Sequence, residues 1–189
     1  RIHLVSETMP PQDRLNWRPS IATRYHVTLL EKHADILPDL KPAFHRQTEQ
    51  VISAFDPLFE SETQLLLHGD CHRGNFIYRP GEGIYIVDFD DSVNGVPVQD
   101  LWMLLPGNPE ECELEVEWFL EGYETFRPFP RKQLKLIPAL RAMRMIHFSA
   151  WCAIQSKDPD FANHFPEWGT MPYWNQWIKD LQQLVDEFL

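Results

Sequence analysis

Leu65-Leu66-Leu67-His68-Gly69-Asp70-Cys71-His72-Arg73-Gly74-Asn75 is the stretch on which the reading of this chain turns. Three consecutive leucines predict a short buried strand. The glycine-eased loop after them sets out one carboxylate, Asp70, and one carboxamide, Asn75. Two further apolar runs follow, Phe76-Ile77-Tyr78 and Ile84-Tyr85-Ile86-Val87, with Arg79-Pro80-Gly81-Glu82-Gly83 between them. Apolar runs flanking a Pro-Gly turn predict a β-hairpin, and its second strand ends on Asp88-Phe89-Asp90. The strand entering Asp70 and the strand ending at Asp88 are expected to lie side by side, so that their pairing brings the two loops together.

A carboxylate placed to accept the proton of a hydroxyl, beside two oxygen donors suited to a hard cation, is the equipment of phosphoryl transfer. Asp70 is the candidate catalytic base. Asn75 and Asp88 are the candidate ligands of the Mg2+ that accompanies ATP, with Asp88 counted among the catalytic residues as well. His68 is expected to anchor the loop by bonding backbone, and His72 either to do the same or to approach phosphate. Asp100 is expected to accept loop N–H groups, or else to complement the dipole of the helix it begins. Asp90 is a candidate for a second metal, and Asp91 for capping the turn Ser92-Val93-Asn94-Gly95. His68, Asp70 and His72 also have a spacing open to zinc, but no other Cys or His cluster completes a closed site. Taken singly, each Asp or Asn reads as a turn cap. Their order, on strand-loop-strand context, favours the catalytic reading.

After the acidic loop the pattern is helical: residues 99–105, 110–126 with Leu114, Trp118 and Tyr123, and a helix begun near Pro138. In that helix Leu140, Met143, His147, Ala150, Trp151 and Ile154 form one stripe. A last helix over residues 173–189 is expected to turn Trp177, Leu181, Leu184, Val185 and Phe188 inward. Ahead of the loop, Leu40, Phe44, Val51, Ile52 and Phe55 recur at helical spacing over residues 39–59. Arg141 and Arg144 read as solvated or paired with acids, or as reaching toward the site. Trp168, Tyr173 and Trp174 are candidates for lining an acceptor cleft. The fold expected is α+β and mostly helical, with a small hairpin carrying the catalytic and metal loops.

The 189 residues suffice for one sizeable core, and 43% hydrophobic content excludes a disordered chain. A net charge of −11 argues against holding nucleic acid by its phosphates. No apolar run approaches the roughly 20 residues that span a bilayer. Cys71, Cys112 and Cys152 form no CxxC pair, which points to reduced thiols in the cytoplasm.

The pattern His-Gly-Asp-x-His-x-x-Asn over residues 68–75, with Asp88-Phe89-Asp90, resembles the aminoglycoside phosphotransferase and choline kinase-like family. Val98-Gln99-Asp100-Leu101-Trp102-Met103-Leu104-Leu105 narrows the likeness to its bacterial serine/threonine protein kinases, and Leu140-Arg141-Ala142-Met143-Arg144 extends it along the chain. The resemblance implies a protein-kinase-like C-terminal lobe over residues 39–189, entered by a linker, residues 1–38, from a smaller N-terminal lobe. It implies Asp70 as base, Asn75 and Asp88 on magnesium, and a Ser/Thr hydroxyl of a protein as acceptor. Asp90 stands where protein kinases carry glycine, so their in/out switching is not carried over. The family's N-terminal lobe supplies a phosphate-covering loop and a Lys–Glu pair for ATP. No glycine-rich loop or strand lysine of that kind is found here, so this chain alone is expected to be inactive. A small-molecule alcohol as acceptor, or a non-catalytic binding lobe, are the rival readings.

Overall fold

The computed structural model describes residues 1–9 and 13–188. Pro10, Pro11 and Gln12 of the expected linker, and Leu189 of the expected lobe and last helix, lie outside the described residues. Helices run α1 Ile2–Ser6, α2 Arg24–His33, α3 Lys41–Phe55, α4 Gln99–Trp102, α5 Glu113–Glu124, α6 Ile137–Gln155, α7 Phe161–His164 and α8 Met171–Asp186. Strands are β1 Leu65–Leu67, β2 Phe76–Arg79, β3 Gly83–Ile86 and β4 Val93–Gly95. Helix outweighs strand, as the sequence predicts. None of the described helices is long and apolar enough to cross a membrane.

The chain falls into two compact units, Arg1–Trp17 with Glu62–Ile137 and Arg18–Ser61 with Pro138–Leu189. Residues 1–38 contribute α1 to the first and α2 to the second.

In the first unit β2 and β3 form the expected hairpin, registered Phe76 to Ile86 and Arg79 to Gly83. The strand before Asp70 does not join it. β1 pairs antiparallel with β4 instead, Leu65 to Gly95 and Leu67 to Val93, which corrects the expectation that β1 would lie beside the strand ending at Asp88. The reason is local closure: the Pro80-Gly81 turn lets β2 and β3 satisfy each other at once, leaving β1 to the strand after the acidic turn. α1 packs on β1, and Ser6 Oγ accepts the Leu66 N–H at 2.7 Å. Val96, Val98, Leu120 and Leu136 are buried in this unit's core. Leu114 and Trp118, on the acidic side of α5, are 68% and 65% exposed.

The second unit is built on α3 against α8. Phe44, Val51, Ile52 and Phe55 recur on one face of α3, and all are buried. Phe44 stacks on Trp177 at 5.3 Å between ring centroids and meets Trp174 edge-on at 6.1 Å. α8 starts where Thr170 Oγ1 accepts the Tyr173 N–H at 3.3 Å. Trp177, Leu181 and Val185 point inward as expected. α6 buries Leu140, Met143, Ile146, Ala150 and Ala153. Trp151 and Ile154, placed in that stripe by their spacing, are 43% and 42% exposed. At about 100° per residue they fall at its margin, where Trp151 stacks on Phe148 at 5.8 Å. Trp174, a candidate for an acceptor cleft, is fully buried and belongs to the core.

Candidate active site

β1 delivers the chain into a loop, residues 68–72, that lies outside any strand or helix and has one backbone bond of its own, from the His72 N–H to the Asp70 carbonyl at 2.9 Å. The Asp100 carboxylate holds the loop. Oδ2 accepts the His68 N–H and Oδ1 the Gly69 N–H, both at 2.9 Å. Gln99, the residue before, donates from Nε2 to the Gly69 carbonyl at 2.8 Å. Asp100 and Gln99 are both buried, so these bonds work in a poorly screened setting. Gly69 itself has φ +89°, and a Cβ there would stand 2.1 Å from the Asp91 carbonyl oxygen. Only glycine fits.

His68 is fully buried, and its Nε2 sits 2.9 Å from the Val87 carbonyl. A carbonyl only accepts, so the bond assigns the ring proton to Nε2. Its ring also lies 4.7 Å from that of Phe89. This bond crosses from the loop of Asp70 to the strand of Asp88, and does what direct strand pairing was expected to do.

Asp70 follows, partly buried. Its carbonyl accepts a hydrogen bond from Asn75 Nδ2 at 2.9 Å, which fixes the carboxamide of the buried Asn75 with Oδ1 outside that bond. The Val87 N–H donates to the Asn75 carbonyl at 3.0 Å, continuing the hairpin register. Asp88 is thus the residue after the one facing Asn75. It is exposed and has φ +66°, the only non-glycine residue with positive φ among those described. An aspartate tolerates that left-handed backbone better than most residues, at a cost of order 1 kcal/mol. Such strain concentrates where a side chain must be aimed.

His72 accepts the Gly74 N–H on Nδ1 at 3.0 Å, so its proton is on Nε2. That nitrogen lies 3.4 Å from Asp70 Oδ2, within reach but long for a hydrogen bond. Burial, with Asp100 and Asp70 adding to it, pushes the Cys71 thiol up to about 12. It stays protonated at neutral pH and is no nucleophile. Arg141 and Arg144 lie on α6 in the second unit.

No group of three or more His, Cys, Asp or Glu that could hold a metal occurs among the described residues. Asn75 and Asp88, the pair expected from the sequence, carry only hard oxygen atoms as possible donors. That suits a cation which keeps water or phosphate oxygens for its remaining positions, as magnesium does.

Sequence reasoning missed two contributors. Gln99 adjoins Asp100 and was legible as a second polar residue on the same short helix. His3, whose Nε2 lies 2.8 Å from Asp100 Oδ2, is 97 positions away and gave no signal.

The family profile described as phosphotransferase enzyme family (APH) matches residues 1–137. Stress response kinase A of Escherichia coli (strain K12) is 41% identical over 147 residues, covering 77% of this chain and 44% of that protein. The Salmonella paratyphi A protein of that name is 35% identical over 181 residues, 93% of this chain and 53% of the relative. The chain thus spans about half the length of the curated relatives it matches. Among solved structures, amicoumacin kinase hAmiN, in complex with AMP-PNP, Ca2+ and Ami, aligns with TM-score 0.66 at 18% identity. It covers 98% of this chain and 55% of that one. A choline/ethanolamine kinase family protein from Mesorhizobium loti aligns with TM-score 0.55 at 17% identity, over 96% of this chain and 64% of its own. These likenesses are in fold, a kinase-like lobe.

Proposed function

Since this chain belongs to the phosphotransferase enzyme family, we propose that it carries the hydroxyl-activating and metal-binding half of an ATP-dependent kinase whose acceptor is a Ser or Thr of a protein. The observation that carries the reading is the hydrogen-bonded circuit joining its three site residues. The Asp70 carbonyl holds Asn75, the Asn75 carbonyl takes the Val87 N–H, and Val87 leads directly into Asp88. The acceptor preference follows a Salmonella typhimurium relative, 34% identical over 181 residues, named serine/threonine protein kinase RdoA.

Asp70 accepts the hydrogen bond of the acceptor hydroxyl and takes its proton as the new O–P bond forms and the γ-phosphoryl group leaves ADP. Asn75 and Asp88 would hold magnesium, which when bound neutralises charge on the phosphate oxygens. His72, its Nε2–H toward Asp70, steadies that carboxylate or meets a phosphate oxygen. Asp100 and His68 keep the loop from rotating. The relatives are about twice as long as this chain, and we place the main grip on ATP in the part of the protein beyond it, so these 189 residues alone are inactive.

The test uses the complete gene product and labelled ATP, offered protein acceptors and small alcohols. Asp70→Asn should cut transfer by about 10³-fold with an unchanged melting temperature, and label should appear on Ser or Thr. Full activity in that variant removes the base assignment. Label on a small alcohol alone replaces the acceptor assignment.

A further inference from the structure

Asp100 is fixed from a side that the proposed chemistry does not use. Arg127 Nη1 donates to Tyr123 Oη at 2.7 Å. The Tyr123 hydroxyl proton is therefore directed to His3 Nδ1, 2.9 Å away, and the remaining His3 proton, on Nε2, points to Asp100 Oδ2 at 2.8 Å. Arg127 is in turn ion-paired with Glu7, just past α1. The relay runs from surface to loop: Glu7, Arg127, Tyr123, His3, Asp100, and then the N–H groups of His68 and Gly69. His3 is buried, as is Asp100.

We infer that His3 is a positioning residue for the catalytic loop, acting through Asp100; the catalytic part of this inference rests on the function proposed above. The Asp100 carboxylate has three donors, and two of them belong to the loop it must hold still. With those two alone, the orientation of the carboxylate rests on the loop it has to hold, which Gln99 and the His68–Val87 bond grip only at other atoms. His3 is the donor that comes from outside the loop, and it fixes the plane of the carboxylate against α1 and α5. Gly69 adjoins Asp70, so any rotation of that carboxylate is passed to the base. Displacements of about 1 Å in such a group cost on the order of 10²-fold in rate. His3 also lines a cavity of about 320 Å³, so an apolar side chain of similar size has room without moving α1.

The experiment compares His3→Leu and His3→Gln in the complete gene product, reading steady-state kinetics and amide hydrogen exchange of residues 65–75. His3→Leu should lower kcat by about 10- to 100-fold with KM for ATP changed less than about twofold, and should speed exchange at the His68 and Gly69 amides. His3→Gln, whose Nε2–H takes the place of the imidazole N–H, should recover to within about threefold of wild type. Tyr123→Phe, which keeps the packing and frees the His3 ring, should show a smaller fall of the same kind and stands in if His3→Leu does not fold. Unchanged kcat and exchange in His3→Leu, or a glutamine variant as impaired as the leucine one, overturns the inference. A wild-type protein with no transferase activity, in which loop exchange still responds to His3→Leu, sinks the proposed function and leaves the positioning role in place.

Discussion

The two units are held by different kinds of force. At its functional end the first depends on a few directional bonds, with one carboxylate, Asp100, accepting two loop N–H groups and a histidine. The second depends on apolar area, with Phe44, Trp174 and Trp177 in mutual contact and Val51, Phe55 and Leu181 around them. Apolar burial is non-directional and scales with the area removed from water. A hydrogen bond weakens steeply with angle, and a buried donor left without an acceptor is penalised in full. Removing atoms from the second unit should therefore cost stability, whereas removing one polar group from the first should cost geometry.

The largest effect on stability is expected from Phe44→Ala. It should cost about 3–5 kcal/mol, seen as a lower urea midpoint, and intrinsic rate per folded molecule should hold. Asp100→Ala comes next, at roughly 2–3 kcal/mol for the loop N–H groups it strands. Its signature is a loss of transfer larger than its loss of stability would produce, and proportionate losses would erase the contrast between the units.

Acid should then weaken the second unit. Burial first, then the neighbouring His147, lowers His26 to about 3; burial first, then Arg144, lowers His147 to about 4. The unfolded chain takes up these protons near pH 6.5 and the folded one does not. Stability is thus whole above about pH 6.5 and is lost progressively as pH falls toward the folded values. At pH 5 the loss from His26 is about 2 kcal/mol, and His26→Phe should flatten the slope of melting temperature against pH between 5 and 6.5. The smallest effect belongs to Trp118→Gln on α5. With 65% of that side chain in solvent, stability should move by less than about 0.5 kcal/mol in thermal melts.

What the sequence disclosed follows the reach of the forces involved. The hairpin was legible because β2 and β3 are adjacent and Pro80-Gly81 closes them. That Asp70 and Asn75 precede the hairpin and Asp88 follows it was legible for the same reason. The pairing of β1 with β4 was not, since three leucines accept any apolar strand and nothing nearby specified Val93. His3 was invisible because its partner lies far along the chain and a lone histidine in a short helix has no pattern. On α6, spacing placed Trp151 with the buried stripe, although a large ring at the margin of a helix face can lie on neighbouring rings in solvent. The Gly69 carbon that Asp91 excludes shows the same limit: the glycine is plain in the sequence, and the carbonyl that requires it is not.

The interleaved assembly of the units has a consequence for how the protein is made. α3 emerges from the ribosome well before α8, the helix it packs on, so Phe44 and its neighbours wait without cover while residues 62–137 are translated. The first unit is complete once Ile137 has appeared. Synthesis thus finishes the unit that carries Asp70 and Asp88 first and leaves the aromatic face of α3 open to aggregation until α8 arrives.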